Sequence, residues 1–266
     1  MDIFRRNLAP VSSAAWDEIN SVARETLIAN LSARRFVDIS GPHGLGYASV
    51  NIGRLSASET HAKSGVSYGV HTVMPLVEAR AMFTLGQWEL DNIERGARDI
   101  ELDALIEASR KIAAFEEDVV YNGFPKSSVE GLNQAASEST VPVKLNPDSI
   151  IDAISEAQGR LILEGIEGPA ILVVNPELWK VLARAVPGGT LRSLVEKQIE
   201  GRVIYSGAVN GGMLVSARGG DTELSIGQDI AIGYHSHTNE EITFFMTESF
   251  TFRVIAPEAI IGLVIG

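Results

Sequence analysis

Apolar and polar positions recur along this chain with two different periods, and the change from one to the other divides it. From Arg218 to the end the period is two: Leu224 and Ile226, Ile230 and Ile232, Phe244 and Met246, then Phe250, Phe252 and Val254. Each run is bounded by Gly, Asp, Asn or Pro, which predicts several β-strands, with Pro257 interrupting the pattern before a final apolar run. No acid, base or nucleophile sits in these strands at a catalytic spacing, so they read as scaffold.

Upstream, the helical period dominates. Ser12 or Ser13 can cap a helix carrying Trp16, Ile19, Ala23 and Leu27 at spacings of three and four. Its apolar stripe is expected to pack on the protein's own core. Residues 47–85 break the period, because Val50 and Ile52, then Val66, Tyr68 and Val70, alternate on either side of the polar tip SASETHAKSG. That predicts a long two-stranded hairpin, a form marginal in water unless something else covers it. A short helix is predicted from Trp88 to Arg95 before Gly96, and a long one from Leu102 to Asn122. The long helix carries Leu105, Ala108, Ile112, Phe115 and Val119 on one face and is stopped by Gly123 and Pro125. Its acidic residues Glu107, Glu116, Glu117 and Asp118 are expected to be solvated.

Residues 126–217 read as a compact α/β unit. Helices begin at Asn146-Pro147 and Asn175-Pro176, and Ala170 to Val174 is an unbroken apolar run of strand length. A loop from Arg184 through Val186, Pro187, Gly188, Gly189 and Thr190 leads to a short helix, then to strands near Val203 to Ser206 and Met213 to Ala217.

Four blocks in this order carry a resemblance: LAPVSSAAWDEI, RRFVDISGPHGLGYASVNIG, PLVEARAMFTLGQWELDNIERG, and the closing RGGD, GQDIAIGY and FFMTESFTFRV. They resemble the encapsulins, linocin-like shell proteins with the fold of the HK97-type phage coat protein. The fold class so implied is α+β, with a peripheral domain, an extended loop and an axial domain. On this chain the divisions fall at 1–46 (N-terminal helix and start of the peripheral domain), 47–85 (extended loop), 86–125 (peripheral domain with its spine helix), 126–217 (axial domain) and 218–266 (peripheral strands). The function implied is a self-assembling icosahedral shell that encloses a cargo enzyme and is not itself an enzyme. The cargo expected is a dye-decolourising peroxidase or a ferritin-like iron-oxidising protein, held through a C-terminal targeting peptide and serving iron storage or oxidative-stress defence.

The resemblance also implies sites. The cargo tail is expected between the N-terminal helix with Leu27 and Ile28, the segment Arg34, Phe36, Val37, Asp38 and Ile39, and the strand with Asp229, Ile230, Ile232 and Tyr234. Asp38 and Asp229 would pair with a basic residue of the tail. The loop of Arg184, Val186, Pro187, Gly188, Gly189 and Thr190 would rim a five-fold pore. No cofactor is required, although some relatives stack a flavin on a tryptophan that corresponds to Trp88; the plainer expectation is a Trp buried at a domain junction, or a surface Trp without a ligand.

Composition narrows the alternatives. Twenty-two Lys and Arg against 34 Asp and Glu leave a formal charge of −12, which repels a nucleic acid backbone and argues against a genome-binding coat. The absence of cysteine removes disulfides and thiolate metal sites and fits a reducing cytosol. No apolar stretch approaches membrane-spanning length, so neither membrane nor nucleic acid is expected as a partner. His235 and His237, with Glu240 and Glu241 nearby, fall in a polar turn and are not expected to hold metal. GxSxG, HExxH, P-loop and GxGxxG motifs are absent, and Gly41, Gly44 and Gly46 open no helix. The remaining alternatives are a secreted bacteriocin or protease-like protein, which needs a catalytic set not found here, and a phage-derived coat.

Overall fold

The first long element is helix α1, Ser13–Asn30, where the Ser12 hydroxyl accepts from the Ala15 N–H at 3.1 Å and satisfies a donor of the first turn. The computed structural model describes residues 2–61 and 63–266. After α1 the chain gives a short strand β1 (Asp38–Ser40), then the predicted hairpin: β2 (Ser49–Leu55), β3 (Glu59–Thr60), β4 (Ser67–Tyr68) and β5 (His71–Pro75). β2 pairs antiparallel with β5 and β3 with β4; Ala62 of the expected tip lies outside the described residues. The hairpin is shorter than the expected 47–85, because β6 (Val77–Gly86) leaves it and pairs residue for residue with a strand of the main sheet.

Helix α2 (Gln87–Glu94) and the long helix α3 (Asp103–Asn122) follow, then two elements that local pattern alone did not announce, α4 (Leu132–Glu138) and β7 (Thr140–Val143). β7 contains Pro142, which is tolerated because it is the outermost strand of its sheet. The α/β unit continues with α5 (Pro147–Leu163), β8 (Ala170–Val174), α6 (Pro176–Leu182), β9 (Ala185–Val186), β10 (Gly189–Thr190), α7 (Leu191–Gln198), β11 (Arg202–Tyr205) and β12 (Gly212–Ser216). The chain closes with β13 (Thr222–Ile226), β14 (Ala231–His237), β15 (Glu241–Val254) and β16 (Ile260–Ile265).

Two sheets organise these elements. In the first, β15 is the spine: β14 pairs with its first half and β13 with its second, β6 runs along its other side, and β1 adds to β13 in parallel. The second has the order β11-β8-β12-β16-β7. β16 was expected with the other C-terminal strands, but it sits in this second sheet between β12 and β7. The reason lies in its composition, since IIGLVI is apolar on both faces and suits a strand covered on both sides, and the turn Pro257–Ala259 redirects the chain toward it.

The unbroken apolar run of β8 is explained in the same way. Ala170, Leu172 and Val174 face one core with α5, α6 and α7, while Ile171 and Val173 face a second core shared with α3, α4 and Phe250 and Phe252 of the first sheet. α3 reaches from that second core to a third, where its Leu105, Ala108 and Ile112 pack with α1 and with Phe83, Phe244 and Met246. Its 20 residues span about 30 Å at 1.5 Å per residue, which lets one helix tie both cores together.

Candidate functional site

Two clefts meet at Arg34. The first, of about 530 Å³, lies between α1 and the start of β14. Ala23, Leu27, Ile28 and Leu31 form one wall, Ile230, Ile232 and Met246 the other, and Arg6, Arg24, Arg34, Arg35 and Asp229 supply its charges. The second, of about 550 Å³, lies on the other side of the 34–38 segment, against the second sheet near Ile171 and Arg202. Of the residues expected to form one receptor, Leu27, Ile28, Arg34, Asp229, Ile230 and Ile232 therefore meet in the first cleft. Phe36, Val37 and Asp38 line the second instead.

The division follows from backbone geometry. β1 pairs in parallel with β13, which carries the chain away from α1 as soon as it leaves Arg35. Asp38 is then occupied in accepting from the Gly220 N–H at 2.5 Å, and Ile39 is exposed beyond it. Tyr234 stands further along β14 than the cleft, where its N–H donates to the Phe4 carbonyl at 2.8 Å and its hydroxyl engages His237 Nδ1.

Beneath the first cleft the charges are arranged around Arg34. Its guanidinium donates from Nε to both Glu116 carboxylate oxygens, at 2.8 and 2.9 Å, and from a terminal nitrogen to Asp229 at 2.8 Å. Glu248 lies 3.3 Å from its other terminal nitrogen. Burial opposes the charge on Arg34, but the bonds to Glu116 and Asp229 outweigh it and hold the arginine more firmly protonated than a free one. Burial first, and the neighbouring Glu116 second, push Glu248 well above the usual carboxylate range. Its Oε1 has no partner among the described residues.

Glu116 and Glu117 correct the expectation of a solvated acidic face on α3, since both are buried. Glu117 Oε1 accepts from the Ala33 N–H at 2.8 Å, and the Ser32 hydroxyl donates to its other oxygen while lying 2.9 Å from the Tyr121 hydroxyl. Burial raises Glu117 to about 7, against the opposing effect of those hydrogen bonds. The two glutamates thus pin the turn after α1 to α3.

The other expected sites lie apart from this one. Val186 and Gly189 pair across a tight hairpin whose turn is Pro187-Gly188, with Gly188 at φ +93°. Only a residue without Cβ adopts that conformation freely. Thr190 ends the hairpin and caps α7, its hydroxyl accepting from the Ser193 N–H at 3.2 Å. Arg184 precedes the hairpin and is exposed. Trp88 is 71% exposed on α2, with the Arg95 guanidinium 5.8 Å from its ring centroid, so it is a surface indole and not a buried one. Among the described residues no three His, Asp or Glu side chains come together as metal ligands, and no helix is long and apolar enough to cross a membrane.

The model of the linocin M18 family, described as encapsulating protein for peroxidase, matches residues 1–251. A type 1 encapsulin shell protein of Rhodospirillum rubrum is 38% identical over 270 residues, covering 99% of this chain and 96% of that one. The type 1 encapsulin shell protein of Mycobacterium tuberculosis is 34% identical over 264 residues, covering 99% of each. The chain belongs to the encapsulin shell protein family. Among solved structures the virus-like particle from Pyrococcus furiosus is similar with a TM-score of 0.63 at 16% identity, covering 92% of this chain and 97% of that one. At that identity the likeness speaks for the fold, which is the HK97-type coat fold expected from the sequence blocks. As encapsulin relatives are shell proteins, the chain is read as a shell component and not as an enzyme.

Several residues of the site were missed by the sequence reading. Glu116 stands four positions after Ile112 and three before Val119, so the spacing of the buried stripe itself marks it as inward-facing. Arg6 and Arg24 enter the encapsulin cleft from the N-terminal segment and from α1, and only tertiary folding brings them to Ile230. Glu248 gave no local signal, because its partner Arg34 lies 214 residues away.

Proposed function

We propose that this encapsulin chain assembles with copies of itself into a closed icosahedral shell in the cytosol and encloses a cargo enzyme. The observation that supports this most is the β2–β5 hairpin. Leu55, Val66 and Val70 are 59, 59 and 62% exposed on it, and among the described residues nothing covers either face of its outer part. An extended two-stranded arm that exposes large apolar residues gains its cover from a neighbour. The cargo is a peroxidase, in keeping with the family's description, with a ferritin-like iron-oxidising protein as the other guest. Its C-terminal tail docks in the cleft between α1 and β14, and copies of the 184–190 loop surround the pore through which small substrates pass.

Light scattering of purified protein, with electron microscopy of the same fraction, tests this. A discrete particle of dozens of subunits is the expected result, and a monomer at micromolar concentration contradicts it. Co-expression with the gene for a peroxidase carrying its native C-terminus should give particles with a haem absorbance band, and empty particles would remove the peroxidase from the proposal. Trp88, flat and exposed, is the proposed place for a flavin, to be sought as an absorbance band lost in Trp88→Ala.

A further inference from the structure

Three carboxyl groups crowd Arg34, and the arginine engages them unequally. It donates from Nε to both oxygens of Glu116 and from one terminal nitrogen to Asp229. The other terminal nitrogen meets Glu116 Oε2 and, at 3.3 Å, Glu248 Oε2. Glu116 and Glu248 are buried, whereas the Asp229 side chain is 48% exposed and stays solvated as an anion. Were all three ionised, a site closed to water would hold two carboxylates against one guanidinium.

The hydrogen bonds distinguish the two buried groups. Glu116 accepts from Nε and from a terminal nitrogen of Arg34, the forked arrangement that suits a carboxylate. Glu248 has only the 3.3 Å contact, its Oε1 has no partner among the described residues, and its carboxyl group hydrogen-bonds to that of Glu116. Two carboxyl groups bond to each other only through a proton, because ionised oxygens can only accept. Burial most of all, then Glu116 and more weakly Asp229, keep the proton on Glu248, and Arg34 opposes them. Its cross-strand neighbour on β6 is Ala79, which adds no charge. Arg6, Arg24 and Arg35, which line the cleft above, form no ion pair with it among the described residues.

This cluster holds the end of α1. The turn 32–35 is fastened to α3 by Glu117, through Ser32 and Ala33, and to α3 and the sheet by Glu116 and Glu248, through Arg34. α1 itself buries only Ala15, Ile19 and Ala23, whereas α5 buries Ile150, Ala153, Ile154, Ala157 and Leu161. An element with so few buried side chains opens before the cores do.

We propose that Glu248 and Glu116 share one proton as a latch for α1, and that its loss as pH rises frees α1 and the 32–35 turn while the rest of the subunit stays folded. The folded acid keeps a proton that the unfolded one releases, so the latch is complete at low pH and is lost as pH climbs through the folded value. Glu248→Gln removes the titration and keeps a donor facing Glu116.

Hydrogen exchange of the full-length protein, followed by mass spectrometry from about pH 6 to 9, tests the latch, with α5 as internal reference for the faster exchange chemistry at high pH. Glu117→Gln is the background, so that the titration of Glu117 itself is absent. In it the protection of α1 relative to α5 should fall by on the order of tenfold across the range, the equivalent of one pKa unit. In Glu117→Gln/Glu248→Gln the ratio should stay level. A level ratio in the background, or an equal fall in the double variant, would overturn the proposal. Should the double variant fail to fold, the infrared band of a protonated carboxyl group decides in the Glu117→Gln protein. The band is expected at neutral pH and should vanish in step with α1 protection; its absence at neutral pH, or its loss with α1 unchanged, would overturn the latch.

Discussion

Two β-hairpins of this molecule share a sequence period and differ in everything that surrounds them. In the β14–β15 hairpin, Ile232, Phe244 and Met246 are buried against α1 and α3, and β6 closes the far side of β15. In the β2–β5 hairpin, Val66, Tyr68 and Val70 alternate just as regularly, yet all three are exposed. Period two establishes a strand with two faces; it does not say whether the subunit owns the layer that covers one of them. The first hairpin is covered within the subunit, and the second is left uncovered by the described residues.

Breaking the covered hairpin should have the largest effect. Phe244 is fully buried, stacked on Phe83 with ring centroids 5.3 Å apart and set edge-to-face against Trp16 at 5.4 Å. Phe244→Ala should destabilise the subunit by about 3–5 kcal/mol, read as a fall in denaturation midpoint or a loss of soluble protein. Near-normal stability would mean that this layer is not the closed core described here.

Next comes the buried charge set that joins α1 to this layer. Arg34→Met leaves Glu116 buried without its cation and should cost about 3 kcal/mol, most of which the double variant Arg34→Met/Glu116→Gln should recover. A double variant no better than the single one would show that Glu116 is compensated by another group.

A smaller, pH-dependent effect is expected at Glu117. The folded group holds its proton up to about 7, whereas the unfolded one releases it near 4.5. Between those values the folded state binds more protons, so this contribution to stability is complete below 4.5 and is lost as pH rises through 7. Glu117→Gln should flatten that decline in denaturation midpoints measured from pH 5 to 7.5. Some slope should remain, since burial raises Glu248 in the same direction. An unaltered slope would mean that Glu117 is ionised throughout.

Much of this architecture was legible where one period and one boundary signal coincide. Ala170–Val174 is a strand at the residues its apolar run marks, and α5 begins at Asn146-Pro147 because the Asn146 side chain accepts from the Ser149 N–H. Legibility failed where the deciding partner is distant. Glu116 and Glu117 look solvated beside Asp118 until Arg34, Ser32 and Ala33, more than 80 residues earlier, are folded onto them. β16 reads as one more C-terminal strand until β12 and β7 are seen to flank it. The cleft was half legible for the same reason: Leu27 and Ile230 were anticipated, but the split between Arg34 and Asp38 depends on β1 pairing with β13.

The contrast between the two hairpins is tested most directly by removing the tip of the exposed one, residues 57–69, and measuring mass by light scattering alongside the denaturation midpoint. The account predicts that the intact chain forms a particle of dozens of subunits. The deletion should keep a stable fold, within about 0.5 kcal/mol as expected for surface changes, but yield free subunits or misassembled particles. Particles of unchanged mass from the deleted chain would contradict it.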